Sequence, residues 1–76
     1  MTVQLKKTLL PNKVMVSTVF LGIDHNLNGG PPILFETMVF GGPHNEYQER
    51  YATWDQAEKD HDRVVEALKA GKSPEL

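Results

Sequence analysis

The chain contains no cysteine. A disulfide framework, a thiol nucleophile and a zinc centre built of thiolates are thereby excluded, and a small core has to hold itself together by packing. Equally missing is any apolar run near the roughly 18 residues that a membrane-spanning helix requires. Residues 1–10 have neither the apolar stretch nor the small-residue cleavage site of a secretory signal. The expectation is a soluble, cytoplasmic protein with no membrane partner. Cationic surplus is absent too: eight Lys and Arg stand against ten Asp and Glu, a net charge of -2. Binding to a phosphate backbone depends on such a surplus, so generic DNA binding is disfavoured. What remains is 39% apolar and 24% charged residues in a chain of 76. That balance belongs to a folded chain, and that length to one domain.

Periodicity divides the domain, residues 1–76, into elements. Val3, Leu5 and Leu9 alternate with Gln4, Lys6 and Thr8, the period of a half-buried strand, which predicts an edge strand over 1–10. Pro11-Asn12-Lys13 has turn chemistry, and a second strand follows over 14–23, apolar on both parities as central strands are. Residues 24–32, with two Gly, two Pro and two Asn, form a loop. A third strand with two apolar faces is predicted over 33–40. Gly41-Gly42-Pro43-His44-Asn45 then breaks the chain before a short fourth strand over 46–52.

Thr53-Trp54-Asp55-Gln56 is a capping-box pattern opening a helix over 54–70, with Trp54, Ala57, His61, Val64, Val65 and Leu68 on one stripe. Gly71 and Pro74 stop that helix and leave 71–76 as a tail, frayed from Ser73 onward. The fold class is therefore α+β: a three- to four-stranded antiparallel sheet with one C-terminal helix packed on one face. One helix covers one face, while the two central strands are apolar on both. The simplest remedy is a homo-oligomer, a homodimer first, with Val19 and Phe20 as candidate interface residues.

Polar residues gather in the two glycine-rich loops. His25, Asn26, Asn28, Gly29 and Gly30 combine side-chain donors and acceptors with exposed amides, and His44 in the second loop and Arg50 beyond it complete a candidate ligand-binding set. An ordinary connection between strands has the same composition. Neither a Walker loop nor a dinucleotide-binding fingerprint is present. The three histidines lack the spacing of a metal site, and no Ser, Thr or Cys is placed as a nucleophile, since Ser17 and Thr18 are mid-strand. No metal, cofactor or catalytic residue is expected. His61 lies in the apolar stripe and needs a partner there; Glu36, the only carboxylate inside an apolar strand, is the candidate. Tyr47, Tyr51 and Trp54, with Arg50 among them, suit either a stacking surface or the core. Lys13, Arg50 and Arg63 are the candidate phosphate donors.

The segments VSTVFLGIDH, GGPPILFETMVFGG and YQERYATWDQAEKDH resemble a family of short proteins of unassigned function from tailed bacteriophages and prophages. The resemblance covers about two-thirds of the chain, Val16 to His61, and brings no catalytic residues with it. It implies a small phage-encoded accessory protein in the cytoplasm of an infected bacterium. The leading expectation is a non-catalytic binding protein that inhibits a bacterial anti-phage defence system by sequestering a nucleotide signal or occupying a defence protein. Alternatives are a virion or assembly component whose oligomer is structural, and a small metal-dependent hydrolase.

Overall fold

The computed structural model describes residues 3–21 and 34–75. Four strands, β1 (Val3–Leu9), β2 (Met15–Phe20), β3 (Phe35–Phe40) and β4 (Gln48–Tyr51), precede one helix, α1 (Trp54–Lys69). The strands form an antiparallel sheet in the order β1-β2-β3-β4, and α1 packs across one face of it. This is the α+β arrangement expected from the periodicity.

Turn chemistry fixes the register at both ends of the described sheet. Between β1 and β2, Lys13 takes the left-handed region at φ 68°, Asn12 Oδ1 accepts from the Val14 amide at 3.2 Å, and the Leu10 amide donates to the Val14 carbonyl at 2.8 Å. Between β3 and β4, Gly41 and Gly42 both have positive φ, at 90° and 72°. Gly42 is held to glycine twice over, because a Cβ there would stand 2.8 Å from Val14 Cγ2. Asn45 Oδ1 closes this turn by accepting from the Gly41 amide at 2.7 Å.

The period of two sorts each strand between the faces. Thr8, Val16, Thr18, Thr37 and Val39 lie on the helix side, where Leu10, Val14, Val16, Val39, Val64 and Val65 form the buried core. Leu9, Met15, Met38 and Phe40 lie on the opposite face. The alternation in β1 is present with its sense reversed: Val3, Leu5 and Leu9 are exposed, and Lys6 and Thr8 are the residues turned toward α1. A register shift between Gln4 and Lys6 separates the two halves of β1. The helix stripe contains a histidine and is flanked by Asp62, so the strand facing it supplies polar partners in place of leucines.

Helix α1 begins where the capping pattern puts it. Thr53 has extended dihedrals and its Oγ1 accepts from the Gln56 amide at 3.2 Å, while Asp55 sits in the first turn near the positive helix end. Thr53→Ala is expected to cost about 1 kcal/mol, read as a lower urea midpoint with an unchanged slope. At the other end the Lys72 amide donates to the Ala67 carbonyl and the Gly71 amide to the Leu68 carbonyl, with Gly71 at φ 73°, which is the Schellman pattern. The segment after it is not frayed as far as Glu75. Pro74 is fully buried, and its carbonyl accepts from Arg63 Nη1 at 2.8 Å.

Candidate functional site

Of the candidate ligand-binding residues, His25, Asn26, Asn28, Gly29 and Gly30 lie outside the described residues. His44 is half-buried in the β3–β4 turn, where its carbonyl accepts from the Tyr47 amide at 3.0 Å. Arg50 stands opposite Glu36 in the β3–β4 register, and its Nε donates to Glu36 Oε2 at 2.8 Å. Val19 and Phe20, adjacent in β2, face opposite ways. Val19 is on the face away from the helix, level with Gln4 and Glu36, whereas Phe20 is on the helix side with its ring centroid 5.4 Å from that of Phe35. The Phe35 ring centroid is in turn 5.9 Å from that of Trp54, so the tryptophan belongs to a Phe20–Phe35–Trp54 cluster, with Tyr51 as the cross-strand neighbour of Phe35.

The proposed His61–Glu36 pair does not form, because the two side chains are on opposite faces of the sheet. His61 is fully buried between threonines of two strands. Its Nε2 is 2.9 Å from Thr8 Oγ1 and its Nδ1 is 2.7 Å from Thr18 Oγ1, which is itself 2.5 Å from Thr37 Oγ1. The chain Thr8–His61–Thr18–Thr37 thus ties α1 to β1, β2 and β3. A neutral imidazole, with one N–H and one lone pair, completes this chain in either direction. Burial pushes the imidazole below its ordinary value, Lys6 adds to that, and Asp62 partly opposes it. Threonines are thus the partners that sequence reading passed over; the signal was the pair Thr18 and Thr37 inside otherwise apolar strands.

A second polar cluster joins β4 to α1. Asp60 accepts from the Tyr51 hydroxyl and from Arg63 Nε; Arg63 also donates to Pro74 and, at 3.4 Å, to the Tyr47 hydroxyl. Burial raises Asp60, but the bonds from Arg63 and Tyr51 outweigh it, and its carboxyl titrates below the usual range. Burial and the Asp60 charge push Tyr51 upward, so it stays a hydrogen-bond donor. An open cleft of about 440 Å³ runs beside this cluster, lined by Arg50, Tyr51, Gln56, Lys59, Asp60 and Arg63. Two of the candidate phosphate donors, Arg50 and Arg63, therefore border one cleft, each already bonded to a carboxylate. Lys13 is in the β1–β2 turn.

The sheet face opposite α1 has a different character. Its register places Leu9, Met15 and Phe40 in one cross-strand row, then Lys7, Ser17, Met38 and Gln48, then Gln4, Val19, Glu36 and Arg50. Leu9 is 69% exposed and Phe40 41%. The centre of this face, Met15, Ser17, Val19, Met38 and Phe40, bears no charge. Among the described residues no three His, Asp or Glu side chains come together as metal ligands, and no helix is long and apolar enough to cross a membrane. Comparison with protein-family models, with curated proteins and with solved structures finds no match, so no relative's activity transfers to these residues.

Proposed function

We propose that this chain is a small non-catalytic binding protein, encoded by a phage, that acts in the bacterial cytoplasm by occupying a protein of a host defence system. One observation carries the reading toward binding: the titratable side chains of the described interior are committed to structural partners. His61 is held by Thr8 and Thr18, and Asp60 by Tyr51 and Arg63. Groups pinned in this way make a rigid scaffold and leave recognition to the surface. The outer helix carries ion pairs of both signs, Asp55 with Lys59 and Glu66 with Lys69, the pattern of a solvated face. The proposed target-binding residues are His25, Asn26, Asn28 and His44, named from the sequence. The phage context rests on the resemblance of the quoted segments. Between the two modes of inhibition, occupying a protein is favoured over sequestering a nucleotide, because Arg50 and Arg63 are already engaged by carboxylates.

The test is the plating efficiency of defence-sensitive phage on bacteria carrying single defence systems, with and without this chain expressed. Restoration of plating by at least tenfold on one such host supports the reading, and alanine substitution of His25, Asn26, Asn28 and His44 together should remove the effect while leaving the melting temperature nearly unchanged. No restoration on any host of the panel overturns it.

A further inference from the structure

We infer that the groove between β4 and α1 takes an extended, acidic segment of a partner protein, which joins the sheet as a further strand along the outer edge of β4. This rests on the binding-protein reading and names how a target is held, in addition to the loop residues. Among the described residues β4 pairs with β3 alone, and Gln48, Glu49 and Arg50 are exposed. The Tyr47 and Tyr51 carbonyls accept from the Val39 and Leu34 amides at 2.9 and 3.0 Å. Main-chain groups of successive residues in an antiparallel strand point to alternate sides, so those of Gln48 and Arg50 point away from β3, out of the sheet edge. The Arg50 amide accordingly donates to the carboxylate of its own neighbour, Glu49 Oε1, at 3.3 Å, a long bond that an incoming carbonyl can replace.

The helix turns this edge into a groove. Tyr51 meets Asp60 and Tyr47 meets Arg63, so α1 runs alongside β4 in the opposite direction. Gln56, Lys59, Asp60 and Arg63, which line the cleft of about 440 Å³, fall at i, i+3, i+4 and i+7. They form one stripe about 10 Å long, which matches about three residues of extended chain. Strand addition uses this combination of an open edge for main-chain bonds and an adjoining cleft for alternate side chains. The other edge is blunted: β1 is interrupted by the register shift between Gln4 and Lys6, and it carries Lys6 and Lys7.

Charge selects the occupant. A second copy of β4 is opposed, because the two antiparallel registers that would pair three of its residues set Glu49 opposite Glu49 or Arg50 opposite Arg50. A strand bearing carboxylates is favoured, because the groove is lined by three cations, Arg50, Lys59 and Arg63, and one carboxylate, Asp60, in a chain of net charge -2. Asp60 is covered by Tyr51 and Arg63, whereas the Lys59 side chain is 78% exposed and that of Arg50 47%. Lys59 pairs only with the equally exposed Asp55, a weak class of contact. Arg50 holds Glu36 through Nε, and a planar guanidinium can serve a second carboxylate at its other nitrogens. Arg50 is on the sheet face away from α1 and Lys59 is on the helix, so two successive residues of an added strand, pointing to opposite faces, reach one cation each.

Fluorescence anisotropy of the full chain with a labelled, end-blocked peptide Thr-Val-Glu-Asp-Val-Thr tests this, with Thr-Val-Lys-Lys-Val-Thr as its charge-swapped control. The acidic peptide should bind with a dissociation constant on the order of 100 μM, and the lysine peptide at least tenfold more weakly. At saturation, hydrogen exchange of the Gln48 and Arg50 amides should slow at least tenfold. Arg50→Pro removes the outward amide without touching the bonds between β3 and β4, and should bind at least tenfold more weakly than Arg50→Ala, which keeps it. Lys59→Glu should weaken binding about fivefold, and Glu49→Ala, which releases the Arg50 amide, should strengthen it about threefold. Both of these residues are exposed, so these two variants decide the matter if the proline variant does not fold. No binding of the acidic peptide up to about 1 mM overturns the proposal. Equal binding of the lysine peptide, unchanged exchange at Gln48 and Arg50, or indifference to Lys59→Glu and Glu49→Ala overturns it equally. The peptide assay needs no host: plating restored without peptide binding rejects strand addition alone, and peptide binding without restored plating rejects the defence reading alone.

Discussion

Replacing His61 with alanine is expected to cost about 4 kcal/mol, which brings a chain of this length close to its unfolding threshold. Three effects add. The imidazole is fully buried, so its removal leaves a cavity that the surrounding valines fill only in part. Thr8 loses its partner, and Thr18 keeps only Thr37, so hydroxyls desolvated by folding are left under-satisfied. The bridge from α1 to β1, β2 and β3 goes with them. Total stability for a small domain is about 0.05–0.15 kcal/mol per residue, so the loss is at least about a third of what is available and all of it at the lower limit. The same histidine gives a pH dependence whose sign is fixed. Its folded value lies below the ordinary 6.5, so the unfolded chain binds the extra proton more readily. Its contribution is complete above about pH 6.5 and is lost as pH falls below that toward the folded value. Urea midpoints between pH 5 and 8 should therefore decline on the acid side, and His61→Gln, which keeps a donor and an acceptor but does not titrate, should flatten that decline. A midpoint for His61→Ala no lower than for Thr53→Ala would show that the imidazole is not the link described.

The elements were legible in the sequence because local rules and tertiary structure agree along most of the chain. The cap at Thr53, the stop at Gly71 and the turns at Asn12 and Gly41-Gly42 each rest on a residue type with one dominant geometric use. The single amphipathic stripe after the strands pointed to one helix packed on one face of an antiparallel sheet. What pattern could not supply was the facing of β1. Counting apolar residues assigns Leu5 and Leu9 to the core, whereas the helix stripe they would face contains His61, for which Thr8 is the better neighbour. The same limit produced the Glu36 assignment: a carboxylate in an apolar strand was matched to a buried histidine without regard to face, although odd and even positions of β2 and β3 separate them. The β4–α1 cleft was missed as a unit because Arg50, Asp60 and Arg63 are brought together by the docking of the helix, which no spacing encodes. Pro74 was read as a helix stop alone, and its buried ring shows that the segment beyond the helix is part of the fold.

Arg63→Met should cost about 2–3 kcal/mol, more than any ion pair on the outer helix contributes, because one guanidinium fastens three separate parts of the molecule. Its Nε holds Asp60 on the same helix, Nη1 holds the Pro74 carbonyl of the C-terminal segment, and Nη2 reaches the Tyr47 hydroxyl ahead of β4. Hydrogen bonds to charged groups contribute about 1.5–3 kcal/mol each when the partner is desolvated, and the side chain here is 31% exposed, which moderates that value. Methionine preserves the apolar stem, so the loss reports the guanidinium. Lysine should not rescue it, since an ammonium cannot serve three acceptors in a planar fork. The carboxylate left behind gives an independent readout. Without Arg63, the burial that raises Asp60 is opposed only by the Tyr51 bond, so its carboxyl should titrate upward from its present lowered position. In the wild-type chain the Asp60 contribution is present above the ordinary value of 3.8 and disappears as pH falls through the folded value. Carbon-13 titration of the carboxyl and amide exchange at Lys72 to Glu75 would register both effects. If Asp60 keeps its low titration and the C-terminal amides keep their protection, the cluster does not depend on Arg63. An Asp60→Asn variant with the same loss of stability would then place the energy in the Tyr51–Asp60 bond.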